Sequence, residues 1–424
     1  MKVAVIGGGW AGLACAVRAT EAGHAVTVFE ATRQWGGRAR RLDTEEGRLD
    51  NGQHILIGAY SASLALMRTV GVDPDAALLR LPLTLRFPDG SGLALPPGRS
   101  PTLALLIGIA SARGWRWRDK AALLARALRW RLTGFTCPPQ ASVADLCRGL
   151  PAPVWQQLIE PLCVSALNTP PDHASGRVFL RVMRDALLGE AGSADLLLPR
   201  VDLGRLLPDA ATAWLARQGA EPVDGRRVRA LHCRAPDDWQ VDGADFDAVV
   251  LATPPWETAR LLREATGLDA AATGPWLARA EALRHEGIGT VYVEGAPALA
   301  AAPMLALHSG AQAPAQFVFD RGQLGGPAGL AAFIISAAPA GAGELEAQVL
   351  AQARQQLGWT TIRPLRTIVE RRATFACVPG LQRPPMRIAD GLWACGDYVD
   401  GPYPATLEGA ARCAEQVADA LGRQ

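Results

Sequence analysis

Three glycines at positions 7, 9 and 12 and a glutamate at 30 are the first residues of this chain whose types and spacing could do chemistry. Gly7 suits a tight turn, Gly9 lets the backbone approach a pyrophosphate, and Gly12 lets a helix pack closely on a strand. A helix starting there offers free N–H groups and positive potential to phosphate. Glu30 follows about 20 residues on, where a carboxylate can accept from both hydroxyls of an adenosine ribose. A carboxylate there disfavours a 2′-phosphate, so the implied ligand is a dinucleotide other than NADP.

The elements needed to position these groups can be read around them. Lys2-Val3-Ala4-Val5-Ile6 is a β-branched apolar run, expected to be a buried parallel strand. Leu13 to Ala19 is an Ala-rich helix former. Gly23-His24 breaks it, and Ala25 to Glu30 is a second strand. Together they make one βαβ unit.

The next residues, Gly36-Gly37-Arg38, follow the Glu30 strand. Here the chain resembles flavoproteins of the amine oxidase and phytoene desaturase superfamily. The resemblance implies FAD, with Gly36 and Gly37 giving close backbone approach. Arg38 would supply a planar, permanently charged fork for phosphate. Near the C-terminus, Gly396-Asp397 ends a strand at Leu392 to Cys395 and precedes a helix. In the superfamily this Asp lies near the FAD ribityl and phosphate. The helix N-terminus that follows it, at Ala405-Thr406, stabilises negative charge on reduced flavin. Val228 would contact the adenine side through its backbone. The remaining cofactor contacts implied are Trp10, Ala11, Ala31 and Thr253, then Gly52, Gln53 and His54.

A narrower resemblance rests on Asp50-Asn51-Gly52-Gln53-His54 through Tyr60, and on Pro161 to Pro171. Both stretches are similar to the squalene-associated branch of the superfamily, the bacterial hydroxysqualene dehydroxylases. That implies reductive removal of an allylic hydroxyl from hydroxysqualene, giving squalene for hopanoid synthesis. An acid would protonate the hydroxyl, water would leave, and the allylic cation would take hydride from reduced FAD. His54 is the candidate acid, with cofactor packing as its other reading. Tyr403, Tyr398 and Tyr60 are candidates for aromatic faces near the cation. Asn168 and Thr169 suit either the substrate cavity or, for Asn168, a helix cap.

The fold implied is α/β and amine oxidase-like. A Rossmann-like FAD-binding domain (1–78, 198–256 and 385–424) is interleaved with an α+β substrate domain (79–197 and 257–384). Helices are expected over 61–70, 143–150, 154–167 and 175–188. Strands are expected at 228–231 and 248–251, and in a mixed or antiparallel substrate-domain sheet at 290–293, 316–319, 331–335 and 366–370.

At 424 residues the chain is long for a single core. A hydrophobic fraction of 49% with 20% charged residues describes a globular protein, and a net charge of +2 does not suggest nucleic acid. The cysteines show no CxxC and no metal-ligand spacing with His, so neither disulfides nor a metal are expected. No run reaches about 18 apolar residues, so no transmembrane helix is expected. Residues 101–133 join an apolar run to a segment rich in Arg and Trp, which fits an amphipathic element on a membrane surface. That suits an insoluble C30 isoprenoid substrate and a cytoplasmic protein held peripherally on the inner face of the cytoplasmic membrane. No second GxGxxG marks a separate nicotinamide site, so the electron donor is open. The competing readings are a desaturase of squalene or carotenoid precursors, an amine oxidase, and a non-enzymatic lipid carrier of the Rab-escort type.

Overall fold

The computed structural model describes residues 1–187, 189–338 and 341–423. Its cofactor half is a six-stranded sheet in the order Glu221–Val223, Ala25–Phe29, Lys2–Ile6, Ala248–Leu251, Leu392–Ala394, Arg387–Ala389. All neighbours are parallel except the last pair. Central strands of such a sheet are covered on both faces, which the β-branched runs allow. Val5 accordingly pairs with Val28 on one side and Val250 on the other. The helices Trp10–Glu21 and Leu407–Leu421 pack together beside the sheet.

A five-stranded antiparallel sheet forms the second half, in the order Met304–Ala306, Phe317–Asp320, Ala331–Ala338, His285–Glu294, Arg363–Phe375. Its two faces have different tasks. Phe333, Ile335 and Val369 point to a separate apolar core under the helix Ala342–Leu357. Strand alternation sends Ile288, Ser336 and Glu370 the other way, toward a cavity.

The halves also share a small sheet. Leu196–Pro199 pairs with Leu56–Ile57 on one side and Leu78–Leu81 on the other. The boundaries expected at 78 and 198 therefore fall inside paired strands. Short leucine runs carry no period that separates strand from helix.

The helices mostly follow the expected positions, at Ser61–Thr69, Val143–Cys147 and Gly176–Leu187. The expected helix end at Leu188 lies outside the described residues, as does the chain end at Gln424. The helix expected over 154–167 is interrupted by a π-turn at Trp155–Ile159 before Glu160–Leu167. Pro161 has no N–H to give to the Gln157 carbonyl, and a wider turn accommodates that loss. The strand expected at 228–231 begins only at Leu231. Before it, the Arg229 and Ala230 N–H groups both donate to the Asp242 carboxylate instead of to a ladder.

The 101–133 segment is two helices, Pro101–Ser111 and Trp117–Leu132. Of its tryptophans only Trp117 is on the surface, 81% exposed. Trp115 donates from its indole to Gln157, and Trp130 packs edge-on against Phe179. Leu103, Leu106 and Ile107 on the first helix and Trp117, Leu124, Leu128 and Leu132 on the second are exposed. Spacings of three and four residues in the first set, and of four and seven in the second, keep each on one helix face. No described helix is long and apolar enough to cross a membrane.

Candidate active site

One cavity of about 820 Å³ runs between the two halves. Its first end is built by the opening βαβ unit. Gly7 turns the chain with φ +112°, and a Cβ at Gly12 would sit 1.8 Å from the Gly7 carbonyl oxygen. Gly12 accordingly packs helix against turn and does not line the cavity, whereas Gly7, Gly9, Trp10 and Ala11 do. The helix N-cap, Gly9, supplies no side-chain bond to the first turn. Those N–H groups therefore remain available for a phosphate. Glu30 lines the same end; one oxygen accepts from the Gly8 N–H at 2.8 Å and the other from the Thr32 N–H at 2.9 Å. Ala31, Val228 and Thr253 line it as well.

The middle is built by two loops that support each other. Asn51 accepts from the Arg40 N–H at 3.0 Å and donates to the Arg38 carbonyl at 2.6 Å. It thereby holds the Gly36-Gly37-Arg38 loop against the loop carrying Gly52, Gln53 and His54. Behind them lies a buried network. Arg321 reaches Gln53 at 2.7 Å and Asp50 at 3.3 Å, and the Leu203 N–H donates to Asp50 at 2.8 Å. Burial pushes the Asp50 carboxyl up to about 6, against the pull of Arg321.

At the next stretch the Arg38 guanidinium pairs with the Asp397 carboxylate and donates to the Ala373 carbonyl at 2.8 Å. Arg38 thus clamps three distant segments together. Gly396, Asp397, Ala405 and Thr406 line the cavity here, with Tyr60 and Tyr398. Burial raises both phenol pKa values, and the Tyr398 hydroxyl is hydrogen-bonded to Thr258 at 3.1 Å.

Two of the catalytic expectations change. Tyr403 does not line the cavity. Its hydroxyl donates to Asp185 at 3.0 Å, and its ring lies under Arg412. Those two contacts hold the side chain away from the cavity. His54 does line the cavity, with Nδ1 3.2 Å from the Gly52 carbonyl oxygen. Burial lowers its pKa, and the charge of nearby Arg38 lowers it further despite the Gly52 bond. A neutral imidazole donating from Nδ1 to a carbonyl has only an acceptor left at Nε2. That suits packing and orientation, not proton supply.

The far end is a chamber lined by Ser165, Ala166, Leu167, Ile288 and Thr374. Asn168 serves both its expected readings. It ends the Glu160–Leu167 helix in the left-handed conformation (φ 46°, ψ 35°) and also lines the chamber. Its amide donates to Thr374 at 3.0 Å and accepts from the Ala337 N–H at 2.7 Å, tying the helix to the sheet. Thr169 does not line the cavity; its hydroxyl accepts from the Cys377 N–H at 3.1 Å. Sequence reasoning missed Glu370, Arg372 and Trp256, which also line the cavity. The alternation of 370, 372 and 374 in one strand was the available signal.

Comparison with known proteins adds to this geometry. Residues 5–70 match the family model described as an NAD(P)-binding Rossmann-like domain. The chain is 30% identical over 98% of its length to a hydroxysqualene dehydroxylase of Rhodopseudomonas palustris, covering 97% of that protein. It is 27% identical over 99% of its length to one of Sinorhizobium fredii, again covering 97%. Likeness to a zeta-carotene desaturase of Zea mays, 36% identical, covers 17% of this chain and 13% of that one. Among solved structures, an oxidoreductase from Methanosarcina mazei superposes with a TM-score of 0.76 at 18% identity, covering 99% of this chain and 100% of that one. A cyclohexylamine oxidase from Brevibacterium oxydans gives 0.68 at 14%, covering 100% and 98%. At those identities the two structures speak for the α/β, amine oxidase-like fold alone. The glycine cradle, the uncapped helix and the Glu30 carboxylate fit FAD, which is the cofactor of this oxidoreductase.

Proposed function

The chain belongs to the hydroxysqualene dehydroxylase family, and from that premise we propose that it removes the hydroxyl of hydroxysqualene reductively to give squalene. The observation that carries this reading is the continuity of the cavity. One end is a dinucleotide cradle, and the other is a chamber between the Glu160–Leu167 helix and the antiparallel sheet. When bound, reduced FAD supplies hydride. The chain's residues supply the rest. The Gly7–Gly12 turn and the first turn of its helix hold the pyrophosphate, Glu30 holds the ribose, and Asp397 with the Thr406 turn holds the flavin end. Ala166, Leu167 and Ile288 lay apolar surface beside a cationic carbon and keep water from it, and the Tyr60 and Tyr398 faces offer it electron density. His54 packs against the cofactor.

Desaturation is the second reading on the same scaffold, and the short match to the carotene desaturase favours it over only a small part of the chain. An anaerobic single turnover separates the two. Reduced enzyme mixed with hydroxysqualene should be reoxidised with stoichiometric squalene. Reduction of the oxidised enzyme by squalene or phytoene, without reoxidation by hydroxysqualene, would reverse the assignment.

The place of action follows from the substrate. Of the nine large hydrophobic side chains exposed among the described residues, seven lie on Pro101–Ser111 and Trp117–Leu132. Arg113, Arg116, Arg118, Arg129 and Arg131 are exposed around them. Arginines beside protruding Leu and Trp suit an anionic lipid surface. This face holds the protein on the inner face of the cytoplasmic membrane, where an insoluble isoprenoid collects, and the product enters hopanoid synthesis.

A further inference from the structure

Resting on the dehydroxylase reading, we propose that Glu370 is the acid that protonates the leaving hydroxyl. Four carboxylates line the cavity: Glu30, Glu257, Glu370 and Asp397. Three are already committed. Glu30 accepts from Gly8 and Thr32, Glu257 accepts from Arg260 and Arg227, and Asp397 pairs with Arg38. Glu370 alone has no hydrogen-bond or ion-pair partner among the described residues, and it is half-buried in the middle of the Arg363–Phe375 strand. Opposite it in register is Ile288, another chamber residue. Two positions on, Arg372 lines the cavity and lies over the Trp256 ring.

The placement puts Glu370 between the chamber and the flavin end. Its charge reaches the Arg38 guanidinium, which in turn holds Asp397. The other proton donors of the cavity are poor ones. His54 presents an acceptor, and the Tyr60 and Tyr398 phenols are held above their ordinary pKa by burial. A hydrocarbon filling the chamber excludes water from this carboxyl and leaves the substrate hydroxyl as its partner.

In the step, the carboxyl O–H bond breaks and its proton goes to the substrate hydroxyl. The allylic C–O bond then breaks, its electron pair leaving with oxygen as water. The carboxylate left behind faces the allylic cation and stabilises it. The cation is reduced by the hydride the flavin supplies. In sum, the alcohol, one proton and one hydride give the hydrocarbon and water.

The test compares wild type, E370Q and E370D as reduced, FAD-loaded enzymes in single turnover with hydroxysqualene. General acid catalysis is worth about 10²- to 10⁴-fold, so E370Q should slow reoxidation at least about 100-fold. E370D should recover part of the rate. A second readout needs no turnover: affinity for an analogue bearing an ammonium in place of the hydroxyl, followed by tryptophan fluorescence. Wild type and E370D should bind it at least about 10-fold more tightly than E370Q, because the ammonium stands in for the cation that faces the carboxylate left after proton transfer, and an amide cannot carry that charge. E370Q turnover within about 3-fold of wild type, or equal analogue affinity, would overturn the proposal. Should E370Q fail to hold FAD, E370D decides: a rate at least about 10-fold slower with analogue affinity kept supports it, and an unchanged rate overturns it. Wild type that hydroxysqualene cannot reoxidise at all would instead refute the dehydroxylase reading itself.

Discussion

Asp50 makes this protein's stability depend on pH in an unusual direction. Its carboxyl is 4% exposed, sits opposite Arg321, and is pushed by burial from 3.8 up to about 6. The folded chain therefore holds this proton more tightly than the unfolded chain does. At 1.36 kcal/mol per tenfold change, that difference is about 3 kcal/mol. It is fully present below pH 3.8, declines as pH rises through 6, and is essentially gone at pH 7. Between pH 7 and pH 5, where most other carboxylates remain ionised, linkage returns about 1.3 kcal/mol to the folded state. Asp50→Asn does not titrate. Its side-chain oxygen can still accept from the Leu203 N–H, so the local backbone keeps its partner. The stability of wild type minus that of the variant should thus rise by about 1.3 kcal/mol on going from pH 7 to pH 5. Urea unfolding of both proteins at each pH, by tryptophan fluorescence, measures it. A difference that stays constant within about 0.3 kcal/mol, or that falls on acidification, would refute the account of Asp50 as a carboxylate ionised at a cost.

Gly12→Ala should abolish FAD binding, read as loss of yellow colour on purification, because its Cβ would overlap the Gly7 carbonyl. Glu408 is completely buried and accepts from Ala62 N, Ser63 N, Ser63 Oγ and Arg412 Nε. Glu408→Ala should therefore cost about 3 to 5 kcal/mol, measured as a lowered unfolding midpoint. His54→Ala should keep most of the single-turnover rate, losing less than about 10-fold; a loss near 100-fold with FAD retained would restore the imidazole as the acid. Replacing Leu103, Ile107, Trp117 and Leu128 by Ser should greatly reduce sedimentation with anionic liposomes, and unchanged binding would remove the membrane face. Arg126 is a poor choice for that experiment, since its guanidinium is bonded to the Leu146 and Arg148 carbonyls.

The sequence by itself determined what short-range spacing determines. The turn Gly7 to Gly12, its two flanking strands and Glu30 form one contiguous unit, and local sterics dictate its geometry from residue types alone. The strand at Ala248–Leu251 was readable from its apolar run, the strand Ala331–Ala338 over 331–335, and the helix Leu407–Leu421 from the resemblance at Ala405-Thr406. Only the tertiary structure decided which side chains face one another. Arg38 and Asp397 are 359 positions apart and meet because the sheet lays Leu392–Ala394 beside Ala248–Leu251, which lies beside Lys2–Ile6. Tyr403 is held away from the cavity by Asp185, 218 positions distant, and by Arg412 over its ring. Trp115 and Trp130, which composition assigned to a membrane face, are packed inward, while Trp117 is not. Glu370 faces the chamber only because the Arg363–Phe375 strand pairs in one register, and a shift of one residue would turn it toward the opposite core. Direction at a given position depends on register and packing across the whole chain, and neither is contained in the spacing of neighbours.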